Sequence, residues 1–326
     1  MRAVRLVAPN TPLAEVEIPD LTPGPGEVRV EVRACGVCHS DAHYRAGFGN
    51  VAVPRTLGHE IAGVVSGTGE RVAVHYLRAC GICTRCVESG EQFCERGEMI
   101  GKHCDGGYAE SIVVPAANLV PIPDNVPFDA AALMMCSTAT AYHALRVGGF
   151  APGMRVALLG FGGLGVSALQ LSLALGAKAV AVVDVVPEKL AAAERMGAMP
   201  GGDLRGFDLA LDFTGRPEVA MDALRKLAPK GRLVLIALSE APITFNPYRD
   251  ILSDERSIRG CSDHLKSELF ELMDLAASGR IDIASAISSR IPLEARAIND
   301  ALDQLDRGTS QLRQVIYSST AQTSPP

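Results

Sequence analysis

Four of the nine cysteines lie close together in one short stretch of the chain. Cys80, Cys83 and Cys86 are each three residues apart, and Cys94 follows eight residues later. Thiolates this close can enclose one metal ion in a tetrahedral S4 site, a geometry typical of zinc or iron–sulfur centres. Four unrelated buried cysteines are not expected at this density. We predict a structural zinc, with an iron–sulfur or redox-thiol site as the alternative.

A second set of zinc-binding residue types is scattered over about a hundred residues. It comprises Cys38, the adjacent pair His59 and Glu60, and Cys136. Taken singly, Cys38 could be an ordinary core thiol and His59 an ordinary buried histidine. Catalytic zinc sites, however, combine three such ligands with one open position, whereas structural sites are closed. Together the two sets therefore suggest one structural and one catalytic metal.

A glycine-rich segment has the features of a dinucleotide-binding turn. It follows a predicted strand and opens a predicted helix, and Asp184 ends the next predicted strand. Such glycines permit a tight turn, close approach of a pyrophosphate and packing of the helix on the strand. Asp184 can accept hydrogen bonds from both ribose hydroxyls and would repel a 2′-phosphate, so it favours NAD over NADP. Lys189 follows five residues after Asp184. A merely structural turn is the alternative. The glycines are Gly160, Gly162, Gly163 and Gly165.

The elements around these residues change character along the chain. The first 70 residues are strand-like, and charged and apolar residues alternate over 27–32. No long helix is expected before about Ala130. Strands and helices then alternate, which predicts a doubly wound parallel sheet. The predicted strands are 155–159, 179–184, 207–212, 232–237 and 257–260; the predicted helices are 163–175, 188–196 and 218–227. A further helix from Leu265 and strands near 286–291 and 314–317 complete the pattern.

Length and composition limit the possible functions. A chain of 326 residues fits two domains, and its net charge of −6 argues against nucleic acid or anionic membranes as partners. The N-terminus lacks a signal-peptide core, and no apolar run is long enough for a membrane span. Metal thiolates in a reducing cytoplasm are therefore expected, rather than disulfides.

Several motifs together resemble one known family. They are Gly36-Val-Cys-His-Ser-Asp-Ala-His43, Gly58-His-Glu60, the Cys80–Cys94 cluster, Cys136-Ser-Thr-Ala-Thr-Ala-Tyr142 and the Gly160 segment. In this order and over nearly the whole length, they resemble the zinc-dependent medium-chain dehydrogenases of the alcohol dehydrogenase family. The resemblance implies an α/β protein, with a GroES-like, mostly-β catalytic domain and a Rossmann-type coenzyme domain. The expected boundaries are 1–137, 138–262 and a segment 263–326 that returns to the catalytic domain, with a disordered tail near 318–326.

The resemblance also implies roles for individual residues. Cys38, His59 and Cys136 would bind the catalytic zinc, with Glu60 as an exchanging or outer carboxylate and Asp41 orienting the histidine. Ser40 and His43 would form a proton relay through the nicotinamide ribose. The remaining implied coenzyme contacts are His39 and Arg313 at the pyrophosphate, and Thr140 and Leu164 near the nicotinamide ring. The expected cofactors are two zinc ions per chain and NAD.

The expected reaction is reversible hydride transfer between a primary or secondary alcohol and NAD+, in a homodimer or homotetramer. Polyol and cinnamyl-type alcohol dehydrogenases are the alternatives within the family. Cys136 disfavours the first, because a carboxylate commonly takes its place there, and Asp184 disfavours the NADP-using second. A zinc-free quinone reductase would need neither cysteine set, and an idle zinc- and dinucleotide-binding sensor would be expected to lose Ser40, His43 or a ligand.

Two features depart from the family pattern. The chain has no tryptophan, so Phe48 becomes the candidate for an aromatic wall of the substrate pocket, and the stretch between Val65 and Arg71 is short. Three cysteines have no role implied by the resemblance and are expected to be core thiols: Cys35, Cys104 and Cys261.

Overall fold

The computed structural model describes residues 1–308 and 312–317. The described residues divide into two compact units, the first formed by 1–136 with those from Leu265 onwards and the second by 137–264. The segment after Leu265 thus belongs to the same unit as the N-terminal residues. The tail that the sequence suggests to be disordered, 318–326, lies outside the described residues.

The first unit is built mainly from short strands. Its N-terminal part contains β1 (Arg2–Leu6), β2 (Ala14–Glu17), β3 (Glu27–Val37), α1 (His39–Arg45), β4 (Arg55–Thr56), β5 (Glu60–Val65), β6 (Arg71–Val74), β7 (Leu77–Arg78), α2 (Thr84–Val87), β8 (Glu98–Met99), β9 (Ser111–Pro115), β10 (Leu119–Pro121) and α3 (Phe128–Leu133). None of these helices exceeds two turns, in agreement with the sequence. A π-helical turn, Met134–Thr138, follows α3 and carries Cys136.

The second unit alternates strands and helices. It contains α4 (Ala139–Val147), β11 (Arg155–Leu159), α5 (Gly163–Ala174), β12 (Ala179–Val183), α6 (Pro187–Arg195), β13 (Met199–Pro200), β14 (Leu209–Asp212), α7 (Pro217–Lys226), β15 (Arg232–Leu235) and β16 (Ser257–Gly260). The strands form a parallel sheet in the order β13-β12-β11-β14-β15-β16. The order reverses beside β11, which is where such sheets bind ligands. The predicted doubly wound sheet is confirmed.

The chain then returns to the first unit with α8 (Lys266–Ala277), β17 (Ile287–Pro292), α9 (Ala295–Asp306) and β18 (Arg313–Tyr317). The larger sheet of this unit has the order β10-β6-β5-β3-β18-β17, and β9 also pairs with β3. β18 runs antiparallel to β3, with Gln314 opposite Val37. This pairing brings Arg313 to the end of β3 that precedes Cys38.

Two features differ from the expectations. Helix α9 was not predicted, although Ile298, Ala301 and Leu302 form its buried face at helical spacing. The strand predicted at 232–237 ends earlier, at Leu235, and this strand, β15, has β14 and β16 on its two sides. Among residues 1–308 and 312–317, we find no helix with the length and apolar character of a membrane span.

Candidate metal and catalytic site

The four clustered cysteines converge in space. Their sulfur atoms lie within 4.8 Å of one another, and the Cys83–Cys86 and Cys80–Cys86 separations are 3.5 and 3.9 Å. Four sulfurs about 2.3 Å from a single ion are about 3.8 Å apart in a tetrahedron. The set therefore fits one tetrahedral ion, whereas the thiols around a multi-iron cluster would be farther apart.

Backbone amides help to hold these thiolates. The Cys80 N–H donates to Cys94 Sγ at 3.3 Å, and the Cys83 N–H donates to Cys80 Sγ at 3.4 Å. Hydrogen bonds from the Ile82 and Cys83 backbone lower the pKa of Cys80 to about 6. A thiol whose pKa is this low readily supplies the deprotonated form that binds metal.

The scattered set also converges. Ligand atoms of Cys38, His59, Glu60 and Cys136 lie within 4.8 Å of one another, with 4.0 Å between the sulfurs of Cys38 and Cys136. The pairing of β3 with β5 brings Cys38 and His59 together, because Cys38 directly follows β3 and His59 directly precedes β5. Cys136 and His59 stabilise the Cys38 thiolate and hold the pKa of Cys38 well below its ordinary value, while the same contact with Cys38 raises the pKa of Cys136.

The orientation of His59 is set by Asp41. The Asp41 Oδ1 atom lies 3.2 Å from Nδ1 of His59, which leaves Nε2 for a metal. Burial alone would lower the pKa of His59, but the Asp41 carboxylate and Cys38 outweigh it, and the pKa is raised well above its ordinary value. Asp41 is fully buried on α1 and also accepts the Cys38 N–H at 3.2 Å, an arrangement that caps the start of the helix.

Glu60 is fully buried and pairs with the guanidinium of Arg313. Burial raises the pKa of Glu60 to about 7, although Arg313 acts in the opposite direction. Gly36 makes room for this carboxylate, because a Cβ atom at Gly36 would overlap Glu60 Oε2. The resemblance implies that Arg313 contacts a coenzyme pyrophosphate, and the structure places it against Glu60. The pyrophosphate contact stays a prediction.

Helix α1 also carries the relay candidates. Ser40 Oγ lies 3.8 Å from Cys38 Sγ, and His43 lies one turn further along. The His39 and His43 rings stack at 4.6 Å, and the Phe48 ring centroid lies 5.9 Å from that of His43. Burial and the neighbouring His39 lower the pKa of His43. Phe48 is half exposed, so its face is available to a ligand.

In the second unit, the glycine-rich turn joins β11 to α5. Gly160 has a φ of 95°, which only glycine adopts readily, and a Cβ atom at Gly162 would meet no atom within 4 Å. The N-terminus of α5 therefore has free space beside it, as phosphate binding needs. Leu164 lies in the first turn of α5, and Thr140 lies in α4; both are partly exposed.

Asp184 lies directly after β12. Its two oxygens accept the Phe161 N–H at 2.7 Å and the Val186 N–H at 3.0 Å. Each oxygen keeps a second lone pair, so ribose hydroxyls could still be bound. Lys189 lies on α6 and is partly exposed. A cavity of about 250 Å³ adjoins Asp184, lined mainly by apolar side chains that include Val183 and Leu190.

Models of two protein families match the chain. The alcohol dehydrogenase GroES-like domain matches residues 24–124, and the zinc-binding dehydrogenase domain matches residues 163–278. An alcohol dehydrogenase from Geobacillus stearothermophilus is 35% identical over 93% of this chain and 94% of its own length. The chain belongs to the zinc-dependent alcohol dehydrogenase family of medium-chain dehydrogenases.

Relatives within this alcohol dehydrogenase family use both coenzymes. An NAD-dependent alcohol dehydrogenase of Saccharolobus solfataricus is 31% identical, covering 97% of this chain and 99% of its own. NADP-dependent alcohol dehydrogenase C of Mycobacterium tuberculosis is 30% identical, covering 96% of this chain and 97% of its own length. Family membership therefore leaves the coenzyme to be decided by residues such as Asp184.

Solved structures support the same fold. The alcohol dehydrogenase of Thermus sp. ATN1 has a TM-score of 0.89 at 28% identity, with 98% of this chain and 100% of that chain covered. A zinc-binding dehydrogenase from Sinorhizobium meliloti 1021, bound to NADP, has a TM-score of 0.88 at 26% identity, with 97% and 98% covered. The expected GroES-like and Rossmann-type architecture is confirmed.

The sequence did not reveal every residue around the metal ligands. Tyr108 donates its hydroxyl hydrogen to Asp41 Oδ2 at 3.0 Å, and no spacing rule connects these two positions. Of the three cysteines without a role implied by the resemblance, Cys35 is fully buried as expected. Cys104 and Cys261 are only partly buried, so the description as core thiols does not fit them fully.

Proposed function

We propose that this member of the family is an NAD-dependent alcohol dehydrogenase that interconverts a primary or secondary alcohol with its aldehyde or ketone. The observation that carries the proposal is the convergence of Cys38, His59 and Cys136, with Glu60 beside them. Two thiolates and one imidazole leave a fourth tetrahedral position for a substrate oxygen. The separate S4 set would hold a second, structural zinc.

The residues of the first unit have distinct tasks in this proposal. Zinc, when bound by Cys38, His59 and Cys136, supplies a Lewis acid that polarises the substrate oxygen. Asp41 fixes the imidazole of His59, and Ser40 lies beside the proposed ligand Cys38, with its Oγ 3.8 Å from Sγ. Ser40 would accept the alcohol proton, and His43, one helical turn further along α1, would release it towards solvent.

The proposed coenzyme is NAD. Asp184 puts a negative charge where a 2′-phosphate would lie, and the next residue, Val185, is 84% exposed and offers no positive charge in return. Gly160, Gly162 and Gly165 would receive the pyrophosphate at the start of α5, with Lys189 at the ribose. His39, Thr140, Leu164 and Arg313 complete the proposed coenzyme contacts, and Phe48 forms one wall of the substrate pocket.

A homodimer or homotetramer in the cytoplasm is also proposed. β16 forms one edge of the parallel sheet, and an edge strand readily pairs with another chain. Exposed apolar side chains lie in the same unit: Leu238, Phe245, Tyr248 and Leu252. Sedimentation of the purified protein tests this proposal, and a monomer at micromolar concentration would refute it.

The function is tested by metal analysis together with a panel of primary and secondary alcohols, aldehydes and ketones, assayed in both directions with NAD(H) and NADP(H). We expect two zinc ions per chain and a higher kcat/KM with NAD(H). Tight NADH binding without turnover across the panel would instead identify an idle zinc- and dinucleotide-binding protein. A higher kcat/KM with NADP(H) would refute the coenzyme assignment alone.

A further inference from the structure

The buried Asp41 carboxylate receives four hydrogen bonds. Its Oδ1 atom faces His59 Nδ1 at 3.2 Å and the Gly58 N–H at 3.1 Å. Its Oδ2 atom accepts the Cys38 N–H at 3.2 Å and the Tyr108 hydroxyl at 3.0 Å. A carboxylate offers about four lone pairs, so all of them are used. Only Tyr108 comes from a segment without a proposed metal ligand.

The backbone places Tyr108 against the residues that precede His59. The Tyr108 N–H donates to the Leu57 carbonyl at 3.0 Å, and the Gly107 N–H donates to the Gly58 carbonyl at 2.8 Å. Gly58 has a φ of 91°, and a Cβ atom there would overlap the Tyr108 ring. Both the conformation and the close contact therefore require glycine at this position.

The environment keeps the Tyr108 hydroxyl a donor. Tyr108 has no exposed surface, and burial together with the Asp41 charge raises its pKa well above the ordinary value. A protonated phenol that donates to a carboxylate forms a charge-assisted hydrogen bond, which is stronger than a neutral one. Without this donor, Oδ2 of Asp41 would lose one of its two partners in a site that water does not reach.

We propose that Tyr108 is a positioning residue for the catalytic zinc. Its hydroxyl holds the Asp41 carboxylate in one orientation, and that carboxylate in turn fixes the His59 ring so that Nε2 faces the metal position. The inference rests on the proposed function, because it requires His59 to be a zinc ligand. Tyr108 touches neither the metal position nor the reacting atoms, and its effect passes through Asp41.

The test compares Tyr108→Phe with the wild type and with Tyr317→Phe. Tyr317 is a suitable control, because its hydroxyl lies 3.4 Å from Arg290 Nε and beside the buried Asp129, away from the proposed ligands. Affinity for the catalytic zinc is measured by competition with a chromophoric chelator. Loss of an outer-shell partner typically weakens metal binding about 10–100-fold. Tyr108 acts through Asp41, one step further from the metal, so we expect a loss near or below the lower end of this range in Tyr108→Phe alone, with the S4 zinc retained.

Two further readouts separate positioning from a general structural effect. Cobalt placed in the catalytic site should show altered visible absorption bands in Tyr108→Phe, and kcat should fall while the KM for NAD+ stays unchanged. In an Asp41→Asn background, Tyr108→Phe should add little further loss of zinc affinity. Unchanged zinc affinity and cobalt spectrum in Tyr108→Phe, or full additivity of the two substitutions, would overturn the proposal.

The outcomes also separate this proposal from the function itself. A wild-type protein without a second zinc or without turnover would refute the proposed function, whatever Tyr108 does. If Tyr108→Phe does not fold, wild-type protein labelled with 3-fluorotyrosine replaces it. The resonance of Tyr108 is assigned as the fluorine signal that remains when each of the other five tyrosines is replaced in turn by Phe. It should shift when the catalytic zinc is removed and restored, and an unmoved resonance would overturn the proposal.

Discussion

The Arg313 guanidinium donates to the Glu60 carboxylate, although 253 residues separate the two in sequence and both side chains are buried. The contact depends on the pairing of β18 with β3, which carries Arg313 to the position where Cys38 begins its helix. Glu60 follows His59 directly at the start of β5. A cation from the returning segment thus balances a carboxylate beside the proposed metal ligands.

Breaking this pair should destabilise the protein. Arg313→Leu leaves the Glu60 charge buried without its partner, and the loss of one member of a buried ion pair typically costs about 3–5 kcal/mol. The double variant Arg313→Leu, Glu60→Leu should recover much of the loss, because no buried charge remains. Urea denaturation of the zinc-loaded proteins measures both. Equal instability of the single and double variants would show that packing, rather than charge, is responsible.

Glu60 should also make stability depend on pH when the catalytic zinc has been removed. Burial raises the pKa of Glu60 from 4.5 to about 7, with Arg313 opposing the shift, so the folded protein holds this proton more tightly than the unfolded chain. The corresponding stability is complete below pH 4.5 and is lost as the pH rises towards 7. Glu60→Gln should flatten this part of the curve in chemical denaturation, and an unchanged slope would contradict the assignment.

The two cysteine sets should respond differently to substitution. Cys86→Ser opens the S4 site, and because metal binding there contributes to folding, the thermal midpoint should fall and one zinc should be lost. Cys136→Ser should keep the fold, lose the other zinc and abolish turnover. Metal analysis and calorimetry measure both effects. One zinc per chain in fully active wild-type enzyme would contradict the two-site interpretation.

Coenzyme preference should change in Asp184→Ser. The substitution removes the negative charge that would repel a 2′-phosphate, so the ratio of kcat/KM for NAD+ to that for NADP+ should fall. It also removes the acceptors for the Phe161 and Val186 amides, which could loosen the turn. Asp184→Asn keeps similar size and one acceptor oxygen, and it serves as the matched control. An unchanged ratio in both variants would show that selectivity lies elsewhere.

The sequence is informative where patterns are local. The apolar run Arg155–Leu159 and the edge strand Ser257–Gly260 were predicted with the bounds that the structure shows. Continuous apolar runs and glycine turns depend on neighbouring residues alone, so they can be read directly from the chain. Helix α9 was not predicted, although its apolar positions at 298, 301, 302 and 305 follow helical spacing.

Contacts between distant segments could not be predicted in this way. The resemblance grouped Cys38, His59 and Cys136, and the structure brings them together, but no local pattern placed Arg313 against Glu60. That ion pair follows from strand register. The Tyr108 hydrogen bond to Asp41 depends on backbone hydrogen bonds that hold Gly107 and Tyr108 against Leu57 and Gly58. No residue near Tyr108 in the sequence indicates this contact.

The proton relay gives the prediction that depends most on α1. Burial and the neighbouring His39 lower the pKa of His43, so its neutral, proton-accepting form persists below pH 6.5. Alcohol oxidation in the wild type should therefore decline only below that pH. His43→Gln should slow it, most strongly at low pH where hydroxide cannot substitute, and loss of a general base typically costs about 10²–10⁴-fold.

Rescue experiments distinguish the inner and outer ends of this relay. His43 is half-buried, so added imidazole can reach its position and should partly restore the rate of His43→Gln with zinc content unchanged. Ser40 is assigned the inner end of the relay, with its Oγ 3.8 Å from Sγ of the proposed ligand Cys38, so we expect Ser40→Ala to be slower than His43→Gln and not to be rescued by imidazole. The rates are measured as pH profiles under conditions where chemistry, rather than NADH release, limits turnover. A His43→Gln profile identical to that of the wild type would rule out His43 as the outer end, because no other step in the proposal gives this residue an effect on pH dependence.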